Sequence, residues 1–479
     1  MKVTFINHAS CKVQAKSIGI LMDTWMEGPA FNFGWDLLIP TPFSFDEIMD
    51  GVNYVWISHE HPDHFSVPFL IRLAKTHKDK VTILFQKTRD HRVVNFCASQ
   101  GLKYQELEDR VPTKLSDDVS VICGVTDFYD SWLNISDGKN SILNLNDCHT
   151  RADKDVTEKI IPFIPRPTLL LSQFSYASWK GAKENTHYRA TAARQKLETL
   201  ARQVRLLKPQ FTFPFASMIY FSNVENSYMN DLVNTPAKAA MVISENGSKP
   251  LVLYPADSWD LAEAHDNSSA LAKYQKCYES VDKLPLRDAG KSASWNELTA
   301  AFEEYRNRVF AKNSKWLIQL VAMMKPLKAF QPLTIDLYDT NTLLSFSVLN
   351  GMEQLSKQDL RDAADMKMHS SSLMFILKND FGFDTLMVNG RLETSRAGFS
   401  KMTKSLAIGS LNAMGLSLSP KLLFDFQVII MLLNILAGVL SKLRQSEKAD
   451  ATAAPNGENS AHGATAIQNE EDLAIKAGK

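Results

Sequence analysis

The first half of the chain alternates between short apolar segments at strand length and longer segments with helical spacing. Residues 52–58 form an almost continuous apolar run, typical of a strand buried on both faces, and residues 66–77 repeat apolar positions at helical intervals. Other predicted strands are KVTFIN, CKVQAKS, IGILMDTW and residues 118–125, 141–147, 168–174 and 211–216, with an amphipathic helix at 191–207. This alternation predicts a layered α/β domain over residues 1–258.

The pattern then becomes polar and helix-prone. Ser294 and Glu297 have the spacing of a capping box, which predicts a long helix reaching toward Met324. We therefore expect a helical connector over residues 259–327. Strand-like segments around a short helix follow, and they predict a small α+β domain over residues 328–400 that weakly resembles a sterol-carrier-like lipid-binding module.

The C-terminal part contains the most apolar run of the chain, residues 421–443, within predicted hydrophobic helices over residues 401–445. Its length is near the ~20 residues that a membrane-spanning helix needs, but Asp425 and two amide side chains interrupt it. The alternatives are lipid or membrane contact, or a helix buried on the preceding domain or in a dimer. Residues 446–479 have few large apolar side chains and predict a disordered tail.

Composition narrows the function classes. Lys plus Arg and Asp plus Glu both number 53, so no net charge favours nucleic acid, and we expect no nucleic-acid partner. The five cysteines are odd in number and never form a CxxC pair, which argues against a disulfide framework and favours a reducing compartment. The first residues lack the pattern of a secretory signal, which predicts a cytoplasmic protein, with the inner face of the membrane as an alternative location.

The strongest chemical signal is HEHPDH, directly after the apolar run. His59 and His61, at positions i and i+2 of an extended segment, can converge on one ion, while Asp63 and His64 follow the turn and can serve a neighbouring ion. Imidazole and carboxylate ligands without thiolate suit iron, zinc or manganese and leave room for water and substrate. The sequence therefore predicts a catalytic metal site.

This H-x-H-x-D-H motif resembles the signature of the metallo-β-lactamase superfamily, over roughly the first 255 residues. The resemblance implies an αββα sandwich and a dinuclear centre bridged by an aspartate after a later strand, the setting of Asp147 in ILNLNDC. A further resemblance is to the catalytic domain of the CMP-N-acetylneuraminate hydroxylase family, in DTWMEGPAFNFGWDLL, WISHEHPDHFS, ILNLNDC and FPFASMIYFSNVENSYMN. It implies an iron-dependent hydroxylase.

The chain departs from these families at two points. A Rieske iron-sulfur centre needs paired Cys and His motifs, and the chain offers only Cys148 with His149, so electrons would come from a separate electron-transfer protein. The superfamily's third histidine of the first metal site is also missing before the Asp147 strand. Asp127 or Asp130 could supply a carboxylate there, which would favour iron over zinc.

Four further features surround the motif. Related proteins place a histidine such as His8 near the metal pocket, as a substrate-binding or ligand-supporting group, and Asp23 is predicted to orient a ligand histidine or a nearby loop. His187 could replace the late histidine that residues 214–217 lack, although an ordinary surface histidine is the simpler interpretation. The aromatic segment 28–35 would either line the substrate mouth or pack over the core.

Three functions remain open. We favour an oxygenase with a dinuclear iron centre bound by His59, His61, Asp63, His64, Asp147 and Asp130, with Asp63 and His8 as catalytic groups. Its substrate would be an N-acylated sugar nucleotide or a related small molecule. The second is a zinc hydrolase of phosphoesters or acyl groups. The third is a lipid- or membrane-associated accessory protein acting through the predicted lipid-binding domain and the C-terminal apolar run.

Overall fold

The computed structural model describes residues 1–126, 129–148, 150–261, 263–324, 326–356, 363–413 and 415–420. It divides into two compact units, the first made of Met1–Gly290 and Thr385–Leu392 and the second of Lys291–Asp384 and the residues from Glu393 onward. The predicted apolar helix at 421–443 and the predicted disordered tail at 446–479 lie outside the described residues. The predicted domain boundaries stay predictions.

The first unit contains two seven-stranded sheets. In spatial order, the first sheet consists of β16 (Ser258–Asp260), β1 (Lys2–Asn7), β2 (Ser10–Ala15), β3 (Ile18–Met22), β5 (Tyr54–Ile57), β6 (Thr82–Gln86) and β7 (Lys103–Leu107). The second consists of β15 (Lys249–Pro250), β13 (Phe211–Phe215), β12 (Leu169–Gln173), β11 (Ser141–Asn144), β10 (Ser131–Ser136), β9 (Ser120–Val125) and β8 (Pro112–Lys114). A small ladder pairs β4 (Trp35–Leu37) with β14 (Ile219–Phe221). The strands from β3 to β7 run parallel, as do β11, β12, β13 and β15.

Helices cover the outer faces of the sheets. They are α1 (Phe45–Met49), α2 (Val67–Thr76), α3 (Arg92–Ser99), α4 (Asp153–Thr157), α5 (Thr186–Leu207), α6 (Pro236–Glu245) and α7 (Ser268–Glu279), besides short 3-10 turns at Ile161–Phe163, Ser227–Leu232 and Val281–Lys283. Helices α1 to α3 pack on the first sheet, and α5 and α6 contact β12 and β13 of the second. The first unit is therefore a mixed α/β structure with the four-layer order helix, sheet, sheet, helix.

Side-chain alternation explains the double burial of the central strands. In β5, Trp56 points into the core between the sheets, whereas Val55 and Ile57 face the core under the helices. Between the sheets, the rings of Phe5 and Phe213 meet edge to face with centroids 5.0 Å apart. The strand predicted at 52–58 is thus confirmed, and so are the helices predicted near α2 and α5.

The second unit has a five-stranded sheet in the order β19 (Gly351–Gln354), β18 (Thr342–Ser347), β17 (Leu333–Leu337), β20 (Met366–Met368) and β21 (Glu393–Thr394). Its helices are α8 (Trp295–Lys312), α9 (Lys315–Met323), α10 (Ser370–Lys378) and α12 (Arg396–Ala413), and α11 (Gly382–Asn389) continues into the segment that belongs to the first unit. The lipid-binding interpretation of residues 328–400 stays a prediction.

The single long helix predicted toward Met324 is wrong. The capping box of Ser294 and Glu297 is present, but α8 ends at Lys312 because Asn313 adopts an extended backbone and bonds its side chain to the carbonyl of Val309. A separate helix, α9, follows. Among the helices that the structure describes, none has both the length and the apolar character needed to cross a membrane.

Candidate metal centre

The predicted site residues come together where strands of both sheets end. Asp23 follows β3, His59 follows β5 after one residue, and Asp147 follows β11. Since the carboxyl ends of parallel strands lie at one edge of a sheet, these loops converge. His8 reaches the same place from the turn between β1 and β2, where its backbone is left-handed with φ of 41°.

Asp23 is the buried hub of this region. Its Oδ1 accepts hydrogen bonds from the backbone amide and the hydroxyl of Ser58, at 2.8 and 3.0 Å. Its Oδ2 lies 2.9 Å from Nδ1 of His64 and accepts from the side-chain amide of Asn146 at 2.7 Å. A carboxylate at Nδ1 fixes the imidazole tautomer and leaves Nε2 as the free ligand atom. The structure therefore shows Asp23 orienting a histidine, as predicted.

His64 belongs to two groups of ligand atoms. One contains His8, Asp63 and His64, the other His59, His64 and Asp147, and within each group the atoms lie within 4.8 Å of one another. Nε2 of His64 lies 3.3 Å from Oδ2 of Asp63 and 3.7 Å from Oδ2 of Asp147, and it makes no hydrogen bond. Because Nδ1 of His64 is bonded to Asp23, its Nε2 can ligate one ion only, so a pair of ions here would have His64 on one ion and His59 on the other.

The carboxylates of this centre require a positive partner. Burial lowers the pKa of His64, but Asp63 and Asp23 outweigh it and hold that pKa well above its ordinary value. Burial raises the pKa of Asp63 and Asp147, but the contacts with His64 bring both below the ordinary range. The positive charge can come from a proton on His64 or from a metal ion in its place.

The surroundings of His59 favour its neutral form, in which the imidazole can ligate a metal ion. Burial, together with His64 and His61, lowers its pKa to about 4. Its Nε2 lies 2.9 Å from Nδ1 of half-buried His61 and 3.9 Å from Oδ1 of Asp130. Nδ1 of His61 therefore lies close enough to share an ion with His59, and Asp130 lies beside them.

The expected division of ligands, with His59 and His61 on one ion and Asp63 with His64 on the other, stays a prediction. The distances agree with it, since Nδ1 of His61 lies 2.9 Å from Nε2 of His59 and Nε2 of His64 lies 3.3 Å from Oδ2 of Asp63. His8, expected to support ligands or bind substrate, has its Nε2 3.3 Å from Oδ2 of Asp63, within hydrogen-bond distance of that carboxylate. The turn at residues 61–64 brings His64 back onto Asp23.

One other described candidate does not join these groups. His187 is exposed in the first turn of α5 and belongs to neither group. Asp127 and His149 lie outside the described residues.

A relay that the sequence analysis missed holds Asp147. The side-chain amide of Gln173, the last residue of β12, donates to Oδ1 of Asp147 at 3.0 Å, and its carbonyl accepts from Lys196 on α5. Burial lowers the pKa of Lys196. The available signal was a pair of polar residues, Ser172 and Gln173, at the end of an apolar strand.

Aromatic rings surround the centre. Phe31 lies edge-on to His61, with ring centroids 5.7 Å apart, and Trp25 lies edge-on to His8 at 5.3 Å. Phe31 belongs to residues 28–35, called here the aromatic loop, in which Phe31, Asn32 and Phe33 have φ of 50°, 51° and 62°. A left-handed backbone costs about 1–2 kcal/mol for each such residue, so other contacts must hold this loop.

Comparison with known proteins gives relatives over half of the chain. No family model matches it. The cytidine monophosphate-N-acetylneuraminic acid hydroxylase of Xenopus laevis is 26% identical over 262 residues, which are 51% of this chain and 43% of that protein. The Danio rerio hydroxylase is 25% identical over 56% of this chain and 47% of its own length. The predicted resemblance to this hydroxylase is confirmed, and the chain spans about half the length of the curated relatives it matches.

Other matches set limits on what similarity implies. The human relative, 25% identical over 51% of each chain, is described as inactive, so similarity at this level does not establish activity. The diiron β-hydroxylase CmlA of Streptomyces venezuelae is 14% identical, with a TM-score of 0.37 over 54% of this chain and 53% of its own. The isothiocyanate hydrolase of Delia radicum gut bacteria is 14% identical, with a TM-score of 0.39 over 54% of this chain and 99% of its own. These scores are too low to support an argument.

Proposed function

We propose that this chain is a metal-dependent hydroxylase with a dinuclear centre, iron being the favoured metal. It would act on an N-acylated sugar nucleotide or a related small molecule and receive electrons from a separate electron-transfer protein. The observation that carries the proposal is the pair of His/Asp groups that share His64 at the ends of strands from both sheets. The similarity to hydroxylases, which extends far beyond the HEHPDH motif, supports the reaction class.

The residues present fit a metal pair. Nε2 of His64 and Oδ1 of Asp63 are buried without a hydrogen-bond partner, which is a costly state for polar atoms unless a cation occupies the site. All donors in the two groups are imidazole nitrogens and carboxylate oxygens. This mixture, with two carboxylates, suits iron or manganese better than a soft thiolate-seeking ion.

His64, with Asp63 and His8, would hold one ion and His59, with His61, the other, while Asp147 lies within reach of both His59 and His64. Iron bound there would supply activation of dioxygen. The protein's own contribution is orientation, because Asp23 fixes His64 and Gln173 fixes Asp147.

The aromatic side chains set the surroundings of the centre. Phe31 and Trp25 pack against His61 and His8, and rings at these positions limit the access of water to the ligands. Half-buried His61 and the buried ring of Phe31 would form part of the wall against which a substrate lies.

One observation favours a zinc hydrolase as the second candidate. Asp63 remains ionised because His64 and His8 hold its pKa well below the ordinary range, and its Oδ1 is unbonded. A carboxylate in this state could orient a water molecule for attack on a phosphoester or acyl group. The third alternative, a lipid- or membrane-associated accessory protein, gains no support from the centre.

Oxygen consumption separates the candidates. The anaerobically purified full chain would be given reduced ferredoxin as electron donor and CMP-N-acetylneuraminate as probe, with product mass read by mass spectrometry. Reductant-dependent oxygen uptake with gain of one oxygen atom supports the hydroxylase. Turnover of nitrophenyl esters or phosphodiesters without reductant would transfer the proposal to hydrolysis, and metal-loaded protein inactive in both assays would overturn both candidates.

A further inference from the structure

The aromatic loop is held by its backbone carbonyls. Four successive carbonyls, those of Phe31, Asn32, Phe33 and Gly34, each accept a hydrogen bond from a side chain. The donors are Asn389, Arg391, Asn223 and Asn226 in the same order. These side-chain donors satisfy backbone carbonyls that a regular helix or strand would satisfy with backbone hydrogen bonds.

Two of the donors come from residues 385–392, called here the clasp, which belong to the same compact unit as the loop. Asn389 donates to the carbonyl of Phe31 at 3.1 Å, and Arg391 donates to the carbonyl of Asn32 at 3.0 Å. Both side chains are only 1% exposed. The remaining nitrogens of Arg391 bond to Glu225 and to the carbonyl of Ala289, so every part of its guanidinium is used.

The loop and the clasp also fit closely. A methyl group added at Gly34 would lie 2.4 Å from Cβ of Asn389, closer than side chains tolerate. Asn226 joins the two segments, since its amide donates both to the carbonyl of Gly34 at 2.9 Å and to that of Asn389 at 2.6 Å. The clasp therefore fixes both the position and the left-handed backbone of the loop.

We infer that the clasp holds the aromatic loop in the conformation that places Phe31 against His61, and that Asn389 and Arg391 are positioning residues for the candidate metal centre. This inference rests on the proposed metal site. Their action is indirect, through the loop backbone, because both residues bond to the loop carbonyls. The C-terminal part of the chain thereby completes the aromatic wall of a site whose ligands all precede residue 148.

The test compares three full-length variants with the wild type. Arg391→Met removes one of the two donor side chains of the clasp, and Gly34→Ala disturbs the close approach without removing any charge. Arg189→Met is the matched control, since Arg189 is equally buried and also bonds to a carboxylate, Asp231, and to backbone carbonyls, but not to the loop. Hydrogen exchange of residues 28–35 reports on the loop, and anaerobic Co²⁺ titration with the visible spectrum reports on the centre.

We expect Arg391→Met and Gly34→Ala to speed exchange in the aromatic loop, to alter the Co²⁺ spectrum and to weaken Co²⁺ binding by about tenfold, the lower range for loss of a group that orients ligands. Arg189→Met should lower stability without these changes. Unchanged loop exchange in folded Arg391→Met and Gly34→Ala protein would overturn the clasp. Equal effects of Arg189→Met on the spectrum would overturn the positioning role.

The two readouts also separate this inference from the proposed function. Absence of Co²⁺ binding in the wild type would refute the metal centre and, with it, the role assigned toward His61. Faster exchange in Arg391→Met under the same conditions would still support the clasp as the holder of the loop.

Discussion

Replacing Asp23 by asparagine should weaken metal binding even though Asp23 belongs to neither ligand group. Each oxygen of Asp23 accepts at least two hydrogen bonds, so an amide nitrogen at either position would face donors and could not accept from them. If the nitrogen faces His64, the imidazole loses its orientation. Loss of such an orienting group weakens metal binding by about ten- to a hundredfold, or about 1.4–2.8 kcal/mol. Each buried donor left unpaired also destabilises the apo-protein by about 1–3 kcal/mol.

Asp339→Asn is the matched control for this prediction. Asp339 accepts from the amide and hydroxyl of Ser370 and lies 3.4 Å from His369, so it repeats the bonding of Asp23 away from the candidate centre. Both variants should unfold at lower temperature, but only Asp23→Asn should lose affinity in an anaerobic Fe²⁺ or Co²⁺ titration. An affinity within twofold of wild type in folded Asp23→Asn protein would refute the orienting role.

Three further predictions test the relay and the core. Gln173→Leu should weaken metal binding about tenfold, because Asp147 loses its donor and Lys196 its acceptor; an unchanged titration would count against the relay. Phe213→Ala should lower the free energy of unfolding by about 3–5 kcal/mol in urea denaturation, since the ring is fully buried against Phe5, and a loss below 1 kcal/mol would contradict that packing. Gly124→Ala should destabilise by about 1–3 kcal/mol in the same assay, because the added methyl would lie 2.0 Å from the buried ring of Trp132, and wild-type stability would show that the ring can move.

The parts of the centre that could be predicted are those whose residues lie close together in the chain. The apolar run of β5 and the HEHPDH motif behind it are adjacent in the chain, so the strand and its ligand-bearing turn could be predicted together. Asp147 was predicted differently: the resemblance to the metallo-β-lactamase superfamily implied a bridging aspartate after a later strand, and ILNLNDC offered that setting. Periodicity within a short segment was sufficient only for the strand and its ligand-bearing turn.

The remainder depends on contacts between distant segments, which periodicity does not encode. Nothing near His8 shows that its ring lies 3.3 Å from Asp63, and nothing near Gln173 shows that it bonds to Asp147. The clasp is the extreme case, because Asn389 and Arg391 bond to carbonyls that lie 358 and 359 positions earlier in the chain. Hydrogen bonds from side chains to backbone carbonyls leave no repeating pattern in the sequence.

The break between α8 and α9 shows a different limit. Apolar positions continue at helical spacing past Asn313, so the pattern predicts one helix. A single asparagine ended it by bonding to the carbonyl of Val309 and to the side chain of Asn412. Side-chain competition for backbone partners outweighed the periodicity.

The central claim is that His64 belongs to a dinuclear metal centre, and metal content tests it most directly. The full chain and its His64→Ala and His187→Ala variants would be purified anaerobically, and bound metals measured by mass spectrometry against protein concentration. We predict a pair of metal ions, mainly iron, in the wild type and in His187→Ala, whose exposed histidine lies in neither group, and loss of at least one ion in His64→Ala. Wild-type protein without bound metal, or His64→Ala protein that retains both ions, would contradict the account.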